Sequence, residues 1–191
     1  MTAAPAPGIV PASTRVMNLA HFLTEQARRR PEAPGFVWGR ARLVLGRDRG
    51  ACGGLRRGAA DGLRPRQGRP AACAIGQLQP TFESMFACWR IGVVWVPANF
   101  RQTPAEVAGL AESAGARGFL HGAEFAAHAE AVARHVDFAI PIGPEGGEGA
   151  DYDALVARHM GARAPAVAVG RDDPAWFFFT SGTTGRPRRR C

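Results

Sequence analysis

The stretch Trp176-Phe177-Phe178-Phe179-Thr180-Ser181-Gly182-Thr183-Thr184-Gly185-Arg186-Pro187 determines how this chain is interpreted. Its four bulky residues predict a short buried strand, which stops at a run made only of hydroxyl residues and glycine. Glycine allows a close approach to a ligand, and hydroxyls beside backbone N–H groups can hold an anion. Composition alone fits a flexible surface turn equally well. The preceding strand, and the glycine, proline and basic residues that follow, favour a phosphate-binding loop.

Two better-known motifs do not fit this loop. The chain contains no G-x-x-x-x-G-K-[ST] sequence, so the loop is not of the Walker A type. Phe179 stands where a G-x-S-x-G motif requires its first glycine, so the loop is not the nucleophile turn of a hydrolase. The loop is therefore a candidate anion site of another kind.

The loop resembles the phosphate-loop signature of the adenylate-forming (AMP-binding) superfamily, of the acyl-CoA synthetase or fatty-acid–CoA ligase type. In that family an aromatic strand precedes T-S-G-[ST]-T-G-x-P-K-G, and residues 180–187 match it position by position. Arg188 replaces the lysine, and Arg189 replaces a small residue. The resemblance implies that the loop holds the β- and γ-phosphates of ATP. The nucleotide-binding residues that it implies are Thr180, Ser181, Gly182, Thr183, Thr184, Gly185 and Arg188.

The same resemblance implies ATP-dependent activation of a carboxylic acid, followed by thioester formation with coenzyme A. In the family Mg²⁺ assists at the phosphates, and its ligand is expected outside this chain. We assign no catalytic residue and no metal ligand. We expect a cytoplasmic N-terminal fragment, inactive alone, of an enzyme whose partners are ATP, a carboxylic acid and CoA.

The spacing of apolar residues predicts helices alternating with strands, an α/β pattern typical of a parallel-rich sheet with helical crossovers. The resemblance implies that this is part of the N-terminal large domain of an adenylate-forming enzyme. Asn18 is predicted to cap the first helix, Thr103 and Glu106 to form a capping box, and Gly115 to end that helix. The predicted helices are 19–30, 81–92, 103–115, 124–135 and 152–160, and the predicted strands are 35–38, 93–96, 118–120, 138–142 and one beginning at Phe177.

The sequence predicts one partial domain with a short segment of different character at each end. Residues 1–17 are Ala/Pro-rich and are expected to be a disordered lead-in. Residues 18–187 are expected to form a partial N-terminal AMP-binding domain, with an irregular stretch at 40–80. Residues 188–191 are expected to be an aberrant tail, with the family's C-terminal domain absent. No run of eighteen apolar residues occurs, so no transmembrane helix is expected.

The net charge of +8 is concentrated in the arginine-rich part of the chain. Residues 40–70 contain nine arginines and two aspartates, and residues 188–190 add three arginines. The remaining residues carry 12 arginines against 14 acids, so most of the chain is mildly acidic. Two interpretations of residues 40–70 remain open. The segment could be disordered and basic without a specific function. It could instead be a nucleic-acid-binding arm, which would make the chain a basic nucleic-acid-binding protein.

We favour a third explanation of the stretch 40–80, translation out of frame. Codons that can encode residues 74–79 give, in the neighbouring frame, an Asn-containing turn of the kind that the family places before its next helix. Deletion of one base in a lysine codon likewise converts a family-like ending into Arg-Pro-Arg-Arg-Arg-Cys and a stop. The coding DNA tests both hypotheses.

The cysteines and histidines show no metal-site spacing. Cys52, Cys73, Cys88 and Cys191 form no C-x-x-C motif, so reduced thiols are expected. His121, His128 and His135 recur every seven residues, which is about 10.5 Å along a helix and too far for one ion. A partly solvated helical face is the expected setting of these histidines.

Overall fold

The computed structural model describes residues 18–38, 41–44, 70–74, 79–142, 154, 157, 166–170, 172–180 and 188–190. Its helices are α1 (Ala20–Arg29), α2 (Gln79–Arg90), α3 (Pro104–Ala114) and α4 (Ala126–Val132), the last preceded by a 3₁₀ turn at Ala123–Phe125. Its strands are β1 (Pro34–Trp38), β2 (Ala41–Val44), β3 (Pro70–Ala74), β4 (Val94–Ala98), β5 (Gly118–Gly122), β6 (Phe138–Ile142), β7 (Phe178–Thr180) and β8 (Arg188–Arg190). No helix in these ranges has the length and hydrophobicity needed to cross a membrane.

Four strands form a parallel sheet in the order β4-β3-β5-β6. Parallel neighbours cannot be joined by a tight turn, and α2, α3 and α4 supply the crossovers between successive strands. Prolines lie where a missing N–H is tolerated: Pro70 begins β3, and Pro141 lies in β6 at one end of the strand order. Separately, β1 pairs antiparallel with β2.

A further segment of chain continues the sheet on the outer side of β4. The Trp95 N–H donates to the Ala175 carbonyl at 3.0 Å, and the Phe177 N–H donates to the Trp95 carbonyl at 3.1 Å. These bonds form a parallel bridge between Trp95 and Trp176. The chain then continues as β7, which pairs antiparallel with β8.

Helices cover both faces of the sheet. The main core joins β4, β5 and the added segment to α3 and α4, and its largest members include Val94, Phe119, Leu110, Val132 and Phe177. Side chains alternate along a strand, so Trp95 points to the opposite face. There its Nε1 donates to Ser84 Oγ of α2 at 3.2 Å.

Both predicted signals around α3 are confirmed. The Thr103 hydroxyl accepts from the Glu106 N–H at 3.3 Å, and the Glu106 carboxylate accepts from the Thr103 N–H at 2.7 Å. Gly115 ends the helix in the left-handed region with φ 61°. The residues at its two ends therefore determine where α3 begins and ends.

Asn18 has a different role from the predicted helix cap. Leu19 is the N-cap residue of α1, while Asn18 Oδ1 accepts from the Ala20 N–H at 3.0 Å. The Asn18 amide donates to the carbonyls of Trp89 at 2.6 Å and Val167 at 3.1 Å. Asn18 therefore connects the start of α1 to the end of α2 and to the segment at 166–170.

The predicted α/β class is confirmed, but the prediction that residues 40–80 are irregular was wrong where the structure describes them. The described residues of this stretch contain β2, β3 and the start of α2. Alanine has low strand propensity, so β3 carries little local signal. Its conformation comes from pairing on both edges, with β4 and β5.

Two other predicted elements differ from the structure. The helix predicted at 124–135 is shorter, because a 3₁₀ turn precedes α4 and α4 ends at Val132. Residues 154 and 157 are helical, and the rest of the helix predicted at 152–160 lies outside the described residues.

The prediction of a wholly buried aromatic strand at 176–179 was also wrong, because its side chains alternate between two faces. Phe177 is 5% exposed and lies in the main core, whereas Trp176 and Phe178 are 36% and 44% exposed. Phe179 is partly buried against the same core as Phe177. The strand has one core face and one partly solvated aromatic face.

This alternation predicts unequal effects for two adjacent phenylalanines. Phe177→Ala removes a buried side chain and should lower the free energy of unfolding by about 3–5 kcal/mol. Phe178→Ala removes mainly an edge contact with Trp176 and should cost roughly 1 kcal/mol. Urea unfolding of the two variants measures the difference, and equal losses would contradict the described register.

The capping box predicts a specific pH dependence. The backbone and side-chain hydrogen bonds of Thr103 hold the pKa of Glu106 below its ordinary value. Because the folded pKa is lowered, the carboxylate's contribution is full above about pH 5 and is lost as the pH falls through the folded pKa. Glu106→Gln should therefore destabilise the protein more at pH 7 than at pH 3.

Urea unfolding at the two pH values measures this difference. Glu112→Gln, at an exposed position of the same helix, is the control. A Glu106→Gln effect of the same size at pH 7 and pH 3 would show that the ionised carboxylate does not stabilise the cap.

Candidate phosphate-binding site

The register of the strands places the end of β7, which leads into the predicted loop, at the carboxyl edge of the parallel sheet. Ala74, the last residue of β3, pairs with Ala98 on one side and with His121 on the other. Counting forward from the parallel bridge between Trp95 and Trp176 brings Thr180 level with Asn99, just past the end of β4. Open α/β sheets bind ligands at this edge.

The β7–β8 hairpin brings the two ends of the predicted loop together. Thr180, the last residue of β7, is directly opposite Arg188, the first residue of β8. These are two of the predicted nucleotide-binding residues. The other five, Ser181, Gly182, Thr183, Thr184 and Gly185, lie outside the described residues, so their role remains a prediction.

Aromatic side chains hold the segment that leads into the loop. Trp176 lies 5.6 Å from Trp89 and 6.2 Å from Trp95, measured between ring centroids, and Phe178 packs edge-on against Trp176 at 4.7 Å. The Trp89 Nε1–H also donates to the Ala175 carbonyl at 2.9 Å. The sequence analysis did not predict this cluster, because Trp89 and Trp95 lie more than 80 positions before Trp176 and Phe178 in the chain.

A second polar element lies at the same edge, in the turn after β4. Asn99 Oδ1 accepts from the Arg101 N–H at 3.0 Å, and Gln102 Oε1 accepts from the Asn99 N–H at 3.0 Å. The Gln102 N–H donates to the Asn99 carbonyl at 2.9 Å. These bonds fix the turn, with the Arg101 guanidinium 5.4 Å from the centre of the Phe100 ring. Arg101 places an exposed positive charge at the edge where the loop leaves the sheet.

The histidines do not share the helical face that was predicted. His121 is buried in β5, stacks on Phe119 and has its Nδ1 at 2.9 Å from the Gly122 carbonyl. His128 Nε2 lies 2.8 Å from the Gln102 carbonyl. The expectation of a solvated helical face was therefore wrong for His121, whose place in β5 is set by pairing with β3 and β6.

Cys88 has the properties of a structural thiol. It packs against Ile91 and Val93, and burial raises its pKa to about 12. The thiol is therefore protonated at neutral pH, whereas nucleophilic attack and metal binding require the thiolate. Among the residues that the structure describes, no group of three or more His, Cys, Asp or Glu side chains is placed to hold a metal ion.

Sequence comparison identifies relatives of this chain. The AMP-binding enzyme family matches residues 55–188, so the match begins inside the arginine-rich stretch. A feruloyl-CoA synthase of Amycolatopsis is 33% identical over 132 residues, which are 68% of this chain and 24% of that protein. The long-chain-fatty-acid–CoA ligase FadD13 of Mycobacterium tuberculosis is 34% identical over 103 residues, covering 52% of this chain and 19% of the ligase. The chain thus spans about a quarter or less of these relatives.

Solved structures share the fold. The N-terminal domain of FACL13 from Mycobacterium tuberculosis superposes with a TM-score of 0.77 at 22% identity, covering 91% of this chain and 44% of that one. The anthranilate-CoA ligase AuaEII, solved with anthranoyl-AMP, gives a TM-score of 0.81 at 18% identity, covering 92% and 34%. The family match covers most of the chain, and the fold agrees with it. This chain belongs to the AMP-binding enzyme family.

Proposed function

We propose that this chain supplies the nucleotide-phosphate-binding part of an ATP-dependent acid–CoA ligase. The observation that carries the proposal is the match of residues 180–187 to the family signature, at a hairpin that β4 holds at the carboxyl edge of the sheet. Backbone N–H groups and hydroxyls in such a loop suit phosphate oxygens. The loop residues proposed to contact the nucleotide are Thr180, Ser181, Gly182, Thr183, Thr184, Gly185 and Arg188.

The proposed reaction has two steps. A carboxylate oxygen of the acid attacks the α-phosphorus of ATP, and the bond to the β-phosphate bridging oxygen breaks, giving an acyl-adenylate and pyrophosphate. The CoA thiol then displaces AMP to form the thioester. Donors that hold the β- and γ-phosphates stabilise the negative charge that accumulates on the departing pyrophosphate. This is the part of the chemistry that the loop at 180–185 can serve.

Arg188 changes the way in which positive charge is presented at the end of the loop. The family signature has lysine there, a compact ammonium that acts as a point charge. Arginine keeps the charge but presents a planar fork suited to two oxygens at once. The backbone of Arg188 pairs with that of Thr180, the first residue of the signature. We propose that it contacts a phosphate with different geometry from that of the family lysine.

The metal, the acid and the location complete the proposal. The described residues offer no cluster that could hold Mg²⁺, so no step is assigned to the metal. The relatives are named for ferulic, anthranilic and long-chain fatty acids, so the acid is proposed only as a carboxylic acid. A cytoplasmic location is part of the proposal. These CoA-ligase relatives do not support the nucleic-acid-binding alternative.

Removal of the loop hydroxyls tests the proposed phosphate contacts. The triple variant Ser181→Ala, Thr183→Ala and Thr184→Ala should bind ATP at least about tenfold more weakly, because hydrogen bonds to charged groups contribute about 1.5–3 kcal/mol each. Isothermal titration calorimetry measures the affinity. Ser113→Ala, at an exposed position in α3, is the control and should bind ATP as the unmodified protein does. Equal ATP affinity for the triple variant, or no ATP binding by the unmodified protein, would refute the loop assignment.

Carboxylate activation by this polypeptide alone is expected to be absent. The chain corresponds to about a quarter of the related ligases, and we assign it no catalytic residue. The measurement is exchange of labelled pyrophosphate into ATP, with panels of aromatic and aliphatic acids. Exchange that depends on an added carboxylic acid would contradict the proposed inactivity and would also identify the substrate.

A further inference from the structure

A cavity of about 210 Å³ lies where the start of α1, the end of α2 and two short segments, 169–170 and 173–175, meet. Gly92 and Val93, which line it, come just before β4, and Pro174 and Ala175 come just before the bridge to Trp95. The cavity is therefore at the amino edge of the sheet. The predicted phosphate loop leaves the opposite edge, so the two sites are separate.

Hydrogen bonds join the elements that form the walls of the cavity to one another. Asn18 connects the start of α1 to the carbonyls of Trp89 and Val167, and the Trp89 indole donates to the Ala175 carbonyl. The polar groups in these bonds already have partners. The surface of the cavity is consequently mainly apolar. Its apolar residues are Leu19, Trp89, Val93, Val169 and Pro174.

Gly92 contributes to the cavity through its backbone conformation. Its φ is 70°, in the left-handed region that disfavours residues with a Cβ. A glycine here lets the chain turn sharply from α2 into β4 without placing a side chain in the cavity. The turn between α2 and β4 therefore helps to keep this space open.

Asp173 gives this apolar cavity a charge preference. Among the described residues that line the cavity, Asp173 is the charged one. The Gly170 N–H donates to Asp173 Oδ2 at 2.6 Å, which fixes the direction of the carboxylate without neutralising it. Asp173 is exposed, so the negative charge lies at the rim, where it attracts cations and repels carboxylates.

We propose that this cavity is a binding site for a small organic ammonium, with its apolar body against Trp89 and Val169 and its charge beside Asp173. A cavity of 150 Å³ accepts benzene, so one of about 210 Å³ has room for a ring with a short side chain. The indole of Trp89 adds an aromatic surface that favours cations. The site does not depend on the proposed ligase function, and its charge opposes the carboxylic acids that a ligase would activate.

Three probes of similar size and different charge test the proposal: 2-phenylethylamine, 2-phenylethanol and 3-phenylpropanoate. Calorimetry and tryptophan fluorescence should show saturable binding in the millimolar range or tighter, strongest for the amine. Asp173→Asn keeps an acceptor for Gly170 and removes the charge, so amine affinity should fall about three- to fivefold while alcohol affinity is unchanged. Asp172→Asn, an exposed neighbouring acid outside the cavity, should change neither.

A second variant tests the cavity itself. Val169→Trp places a larger side chain in the space and should weaken the amine and the alcohol together. Circular dichroism verifies the fold of each variant, and if Val169→Trp does not fold, the comparison of Asp173→Asn with Asp172→Asn still decides. The proposal fails if the unmodified protein shows no saturable binding of the amine. It also fails if the alcohol binds as tightly as the amine, or if the two aspartate variants behave alike.

Discussion

Two backbone hydrogen bonds at Trp95 determine where the segment that leads into the phosphate-loop sequence lies in the fold. They join residues 175 and 177 to β4 in parallel register, although the partners are about 80 residues apart in the chain. This register puts Phe177 in the core and brings the last residue of β7 just past the end of β4. The last residue of β7, Thr180, therefore lies at the carboxyl edge of the sheet, the edge at which open α/β sheets bind ligands.

The aromatic and amide contacts around this register stabilise the same arrangement. Trp89 contacts Trp176 through its ring and Ala175 through its indole N–H, so α2 holds the segment from the face opposite the main core. Asn18 in turn connects the end of α2 to the start of α1. The same contacts enclose the cavity at the amino edge of the sheet. One packing arrangement thus positions the loop at one edge and forms the cavity at the other.

Local sequence signals predicted the elements whose conformation they determine. The capping box at Thr103 and the stop at Gly115 are short-range patterns with a direct chemical reason. By contrast, β3 is alanine-rich and becomes a strand because β4 and β5 supply partners on both edges. The packing of Trp176 on Trp89 and the role of Asn18 depend on distant residues, so no local pattern shows them. The frameshift hypothesis concerns the coding DNA, and the fold does not test it.

Residue-level mapping of ATP binding is the most direct test of the central claim, that the hairpin loop held by β4 is a phosphate site. The measurement is the change in backbone amide NMR shifts of the labelled protein as ATP is added. The largest changes should fall on residues 180–188 and on the neighbouring turn from Asn99 to Gln102, at the carboxyl edge of the sheet. Changes confined to residues 40–70, or to the cavity at the amino edge, would contradict the assignment.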